Sequence, residues 1–195
     1  MDFPLDLRFK LLAIAQQISV TDAARRVIFY VRQKAFRLKE AVTVYADTAQ
    51  ARALYQINAD RVFDISAQYN IDDSQGTRLG AVQRRGMRSL WRAHYEIMRE
   101  DQPFMVVREE NPWVKVLDGL LDSIPVVGMF TGYLLHPSYL VTRVDNGAAA
   151  LRVTKQPAFF EGRYRVERLD TLDEDAERLA VLALLMMLLL ERQRG

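Results

Sequence analysis

No cysteine occurs in the 195 residues. That single absence removes disulfides, thiolate nucleophiles, iron–sulfur clusters and cysteine-based zinc sites together. It agrees with a reducing compartment without proving one. Histidine is almost as scarce, with only His94 and His136. A histidine metal site would therefore need carboxylate help, and no H-E-x-x-H spacing occurs. Glycine and proline are few and scattered, so neither a linker nor a low-complexity tract divides the chain. An excess of one charge is lacking too: 27 basic residues face 25 acidic ones, for a net charge of +2. That balance argues against nucleic acid as an obligate partner.

Catalytic signatures are missing as well. There is no G-x-S-x-G, no P-loop and no dinucleotide fingerprint. A triad is a spatial arrangement, so sequence alone does not exclude one, but no residues nominate it. The chain therefore reads as non-enzymatic, with no catalytic residue, cofactor or metal assigned; a hydrolase or ligand carrier is the minor alternative. The N-terminus has no basic region followed by an apolar core. Asp2, Pro4 and Asp6 occupy the place of the first, and the run 11–15 is too short for the second. We expect a cytoplasmic protein.

What is present is punctuation. Turn-forming clusters fall at Asp22–Ala23, Asp47–Thr48, Asp73–Ser74–Gln75–Gly76, Asp101–Gln102–Pro103 and Asp145–Asn146–Gly147. The first four recur every 25 to 28 residues, with weaker breaks near Leu38, Ala59 and Gly86 between them. Asx side chains bond their own backbone, and Gly accepts positive φ, so both suit turns. Asp72 to Gly76 superficially looks like a calcium loop, but it lacks alternating ligands and a closing Glu at the twelfth position; a hairpin turn fits better.

Between the turns the pattern has period two. Tyr95 and Ile97 alternate with His94 and Glu96, as do Trp91 and Ala93 with Arg92. Val42 and Val44 alternate with Thr43 and Tyr45, and Tyr164 and Val166 with Arg163, Arg165 and Glu167. Such alternation marks antiparallel strands with one buried and one wet face, about eleven or twelve of them. Two stretches break it. Asn111 and Pro112 open an expected helix as N-cap and first residue. The other is the C-terminus.

Thr171–Leu172–Asp173–Glu174 reads as a capping box, with Thr171 as cap and Glu174 three residues on. From it the run 179–190 continues with no polar face. A helix apolar all round must be enclosed by protein or lie in lipid. Twelve residues make about 18 Å of helix, whereas a bilayer core needs roughly 20 apolar residues. Enclosure by protein is favoured. A sheet of about a dozen strands can close into a barrel wide enough for one helix, and closure also removes exposed edges. The expected fold is mainly β (α+β): one domain over 1–195, a closed antiparallel barrel of about 12 strands around a central hydrophobic C-terminal helix at 171–192.

Tyr30–Val31–Arg32–Gln33–Lys34–Ala35–Phe36, followed by Val42–Thr43–Val44–Tyr45, resembles the opening of LURP-one-related proteins. These group with the tubby C-terminal domain and the phospholipid scramblases. The resemblance implies a twelve-stranded barrel around a hydrophobic C-terminal helix. Tubby domains bind phosphoinositide head groups through basic surface residues, though none of those positions aligns here. No acidic calcium segment of the scramblase kind is visible either.

The densest local charge is an arginine group: Arg78, Arg84, Arg85, Arg88 and Arg92, with no acid between Ser74 and Tyr95. Guanidinium groups form bidentate bonds to phosphate, so this hairpin is a candidate for lipid or phosphate binding. The blander reading is a solvated strand face balanced by acids on neighbouring strands. Trp91 and Tyr95 share the face opposite Arg92, which makes them core residues before a stacking platform. The uncharged run 123–142 has the length of a membrane span but is interrupted by Pro125, Gly128, Gly132 and Pro137. A buried loop fits it, or an exposed apolar surface between Val126 and Leu135 that takes a protein partner. The resulting expectation is a binding module for anionic phospholipid head groups at a membrane surface. The alternative is a protein-interaction scaffold without a lipid role.

Overall fold

The structure, a computed structural model, describes residues 1–12, 15–34, 41–60, 68–84, 94–110, 138–158 and 162–192. The helix expected at Asn111 and the stretch between Val126 and Leu135 lie outside the described residues. Twelve strands follow one another: β1 (Leu5–Leu12), β2 (Ala15–Thr21), β3 (Val27–Lys34), β4 (Ala41–Tyr45), β5 (Ala53–Ala59), β6 (Gln68–Asp73), β7 (Arg78–Arg84), β8 (His94–Arg99), β9 (Gln102–Glu109), β10 (Ser138–Arg143), β11 (Ala149–Gln156) and β12 (Gly162–Arg168). Helix α1 (Glu174–Arg192) completes the chain.

Each strand pairs antiparallel with its sequence neighbours, and β12 pairs back onto β1, so the meander closes into a barrel. This topology gives the barrel two unlike ends. The five short hairpins joining β2 to β3, β4 to β5, β6 to β7, β8 to β9 and β10 to β11 share one end with the entry into α1. We call it the turn end. Every one of these hairpins carries a register shift just before its turn, at Thr21, Tyr45, Asp72, Met98 and Thr142. The turns use the Asx chemistry read from the sequence. Asp73 Oδ1 accepts the backbone N–H of Gln75 and of Thr77, both at 2.8 Å, and Asn146 Oδ1 accepts that of Ala148 at 2.9 Å.

The barrel interior is filled by alternate residues. Leu5, Leu7, Ile18, Val20, Val42, Val44, Tyr95, Ile97, Leu151, Val153 and Val166 are all buried, while their described chain neighbours, Ala150 apart, are more exposed. They surround α1. Every helix residue from Leu179 to Leu189 is at most 1 % exposed, so the strands solvate the whole circumference of the rod. Among the described residues no helix is long and apolar enough to cross a membrane. Each fully buried leucine contributes about 1.5–3 kcal/mol relative to exposure, and the rod carries several in succession.

The start of the helix differs from the expected capping box. Asp173, not Thr171, is the cap: its Oδ1 accepts the Ala176 N–H at 2.7 Å, and its backbone carbonyl accepts the Glu177 N–H at 2.9 Å. The reason lies upstream. The N–H groups of Leu169 and Asp170 still bond the Ala150 carbonyl, and Leu172 is tucked into the core. The chain leaves the sheet only at Asp173. Where the rod passes β7 the wall is Gly80; a Cβ there would lie 2.8 Å from both Leu179 methyls and collide with the Met98 carbonyl.

Candidate functional site

Of the five arginines nominated by sequence the structure describes two, Arg78 and Arg84, and these stand at opposite ends of β7. Arg78 opens β7 at the turn end, where its Nε bonds Asp72 on β6. Arg84 closes the same strand, six residue steps and about 20 Å away. Its register partner is Tyr95, so it has the inward parity. There Tyr95 donates its hydroxyl to Glu191 Oε1 of the last helical turn at 2.5 Å. Burial pushes the Tyr95 phenol well above its usual range, with the Glu191 bond adding to it and the Arg84 charge opposing it. Tyr139 and Tyr164, near the same helix end, are shifted upward by burial as well. Arg85, Arg88 and Arg92 lie outside the described residues, on the connection from Arg84 to His94.

A denser basic surface forms from residues far apart in sequence. On the outer wall Arg8 of β1 stands directly opposite Arg163 of β12. Beside them, Asp6 stands opposite Arg165, and one row on, Lys10, Gln17 and Arg32 run across β1, β2 and β3. Arg163 reaches Asp6 at 3.2 Å and Arg165 reaches Glu167 at 3.6 Å. Among the described residues Arg8 and Arg32 have no acidic partner, and both are exposed. Like charges directly opposite on a sheet cost stability. Among the described residues this pair has a carboxylate for Arg163 and none for Arg8.

The turn end has the reverse charge. Segments 1–4, 22–26, 46–52, 72–78, 99–102, 143–148 and 168–178 hold thirteen acids and eight arginines, a local charge of −5 in a chain of net +2. Within this end a cleft of about 740 Å³ opens beside the first turn of α1. It lies where β7 pairs with β8 only from Ala81 onward, so that Arg78 and Leu79 have no register partner on β8. Tyr55, Gly80 and Met98 line its depth, and Tyr55 sits edge-on to Phe29 with ring centroids 5.8 Å apart. Burial raises the Tyr55 phenol.

The cations of the cleft are each engaged. Arg78 bonds Asp72, Arg99 bonds Asp173 at 3.2 Å, and Arg178 bonds Glu174 and Asp175, the latter at 3.0 Å. Glu100 and Asp101, at the tip of the β8–β9 hairpin, have no cationic partner among the described residues. Both hold positive φ, 51° and 57°. Among the described residues the large exposed hydrophobics, Val144 and Leu169, also belong to this end.

Residues 27–122, about half of the chain, match the model of the LURP-one-related family. The chain belongs to the LURP-one-related family, within the tubby-like superfamily. No curated protein and no solved structure matches it. The LURP-one-related match begins at the first residue of β3 and includes β3 through β9. The strands that close the barrel, and the helix inside it, lie outside the matched span. The wall centred on Arg8 and Arg163 therefore falls mostly outside it too, whereas the cleft between β7 and β8 falls largely within.

The sequence reading missed both surfaces. Outward parity alone would have found Arg8, Lys10, Arg32, Arg163 and Arg165, since each alternates with a buried apolar residue. Their juxtaposition required knowing that the first and last strands pair.

Proposed function

We propose that this LURP-one-related barrel is a non-catalytic binding module that meets anionic phospholipid head groups at a membrane surface with its basic outer wall. The observation that carries the reading is the cross-strand pair Arg8 and Arg163, with Arg32 and Arg165 on the same wall and two of these guanidinium groups, Arg8 and Arg32, without an acid among the described residues. A convex wall of this kind suits a broad anionic surface better than a small anion. A basic side chain near an anionic leaflet contributes about 1 kcal/mol. The carboxylate-rich turn end is a poor surface to present to the same leaflet, so charge segregation orients the barrel as well as attracting it. The protein would act peripherally, at the cytoplasmic face.

Vesicle flotation tests this. Phosphatidylcholine vesicles doped with a phosphoinositide should float the protein, and binding should weaken as salt rises. Arg8→Ala with Arg32→Ala should weaken it roughly thirtyfold, two contributions of about 1 kcal/mol. The triple variant Arg84→Ala, Arg85→Ala, Arg88→Ala is the comparison. Loss in that variant with none in the wall pair would move the site to the segment 84–88. Failure of the unaltered protein to float on any anionic vesicle would end the lipid reading and leave a protein-interaction scaffold.

A further inference from the structure

The two charged surfaces of this barrel are complementary to each other, and they lie on opposite sides of it. The strand order places β7 six strands round from β1 in a closed ring of twelve. The cleft at the turn end, rimmed by Glu100 and Asp101 and lined by the first turn of α1, therefore lies across the barrel from the convex wall centred on Arg8 and Arg163. The cleft has carboxylates to spare because its own arginines are engaged. The wall has guanidinium groups to spare because Arg8 and Arg32 meet no acid among the described residues. We propose that the cleft of one copy receives the outer wall of a second copy, so that the chain associates with itself wall to cleft.

Charge supports a second copy as the occupant: the hairpin-tip acids Glu100 and Asp101 lack cationic partners among the described residues, as the exposed strand arginines Arg8 and Arg32 lack acidic ones. The contact is heterologous, since each copy uses a different patch. With the patches on opposite sides, it does not close on itself as a two-fold dimer but extends as an open chain. The inference is independent of lipid binding, and its test contains no lipid.

Sedimentation equilibrium reads it directly. At about 0.01 M ionic strength, where charges interact over about 30 Å, the average mass should climb with concentration past twice the 22.5 kDa of one chain. At about 1 M salt, with a screening length of about 3 Å, it should return to 22.5 kDa. Two variants cut the two surfaces separately. Glu100→Lys with Asp101→Asn alters the cleft rim, Asn being chosen because it tolerates positive φ. Arg8→Ala with Arg32→Ala alters the wall. Both pairs are exposed, and a thermal melt of each variant confirms folding. Each variant alone should stay monomeric. Mixed, they should form a pair that stops at twice the chain mass, since only one good wall and one good cleft remain. The proposal is overturned if the unaltered chain stays at one mass at low salt, if either variant associates as the unaltered chain does, or if the mixture does not pair.

Discussion

Adding one methyl group at Gly80 probes the contact between rod and wall more sharply than any deletion. No positive φ holds this glycine, so its backbone would accept alanine. In a strand with free space, Gly→Ala stabilises by about 0.4–1 kcal/mol, because the unfolded chain loses freedom. Here the new Cβ would lie 2.8 Å from both Leu179 methyls and collide with the Met98 carbonyl oxygen. Overpacking of that kind costs about 1–3 kcal/mol, so Gly80→Ala should lower the melting temperature by about 2–12 °C for a chain of this length. Leu179→Ala alone should cost about 2–5 kcal/mol, as a buried leucine 1 % exposed. In the double variant the collision with the Leu179 methyls is gone, while the one with the Met98 carbonyl stays. The two costs should therefore sum to less than their parts by at least about 0.5 kcal/mol, the threshold above which contacts are coupled. Denaturant titration of the four proteins measures the cycle. A neutral or stabilising Gly80→Ala, or strict additivity, would refute the packing of Leu179 on β7.

Two further outcomes follow from the titrating groups. Tyr95, Tyr139 and Tyr164 have folded pKa values above the usual one near 10, each through burial first. Their contribution is intact below about pH 10 and falls as pH rises beyond it, because the unfolded chain ionises first. Phenolate absorbance should accordingly appear in these residues only together with unfolding; ionisation of all eight tyrosines in a still-folded protein would contradict their enclosure. The Asp173 carboxyl is held below its usual value, chiefly by the Ala176 N–H and further by Arg99. Its contribution is present above about pH 4 and is lost as pH falls through the lowered value. Asp173→Ala should cost about 1 kcal/mol in a neutral-pH melt, whereas Thr171→Ala should cost markedly less; the opposite ranking would restore Thr171 as the cap.

The parts of this fold that were legible in the sequence share a cause: each is enforced locally. Strands such as His94–Arg99 expose and bury alternate residues, so their period survives in the text. Turns at Asp73 and Asn146 are made by side chains bonding backbone two residues on. The rod 179–190 has no polar face, and that alone demanded a complete enclosure. Features set by distant pairing were not legible. The cap moved from Thr171 to Asp173 because Ala150 still holds the preceding N–H groups. Arg78 and Arg84 look close in sequence because sequence spacing ignores strand rise, which puts them at opposite ends of β7. The wall stayed hidden because Arg8 and Arg163 meet only when the first strand finds the last.

The central claim is that the leucine-rich helix is solvated by the strands of its own chain. A chain without cysteine allows a direct test, because an introduced thiol is the only one present. Ala183→Cys places it mid-helix at a fully buried position, and Ser74→Cys places it in an exposed turn. A water-soluble maleimide, applied without detergent or lipid, should label position 74 at the rate of a free thiol and position 183 only after denaturant is added. Comparable labelling of both positions in the native protein would contradict the account.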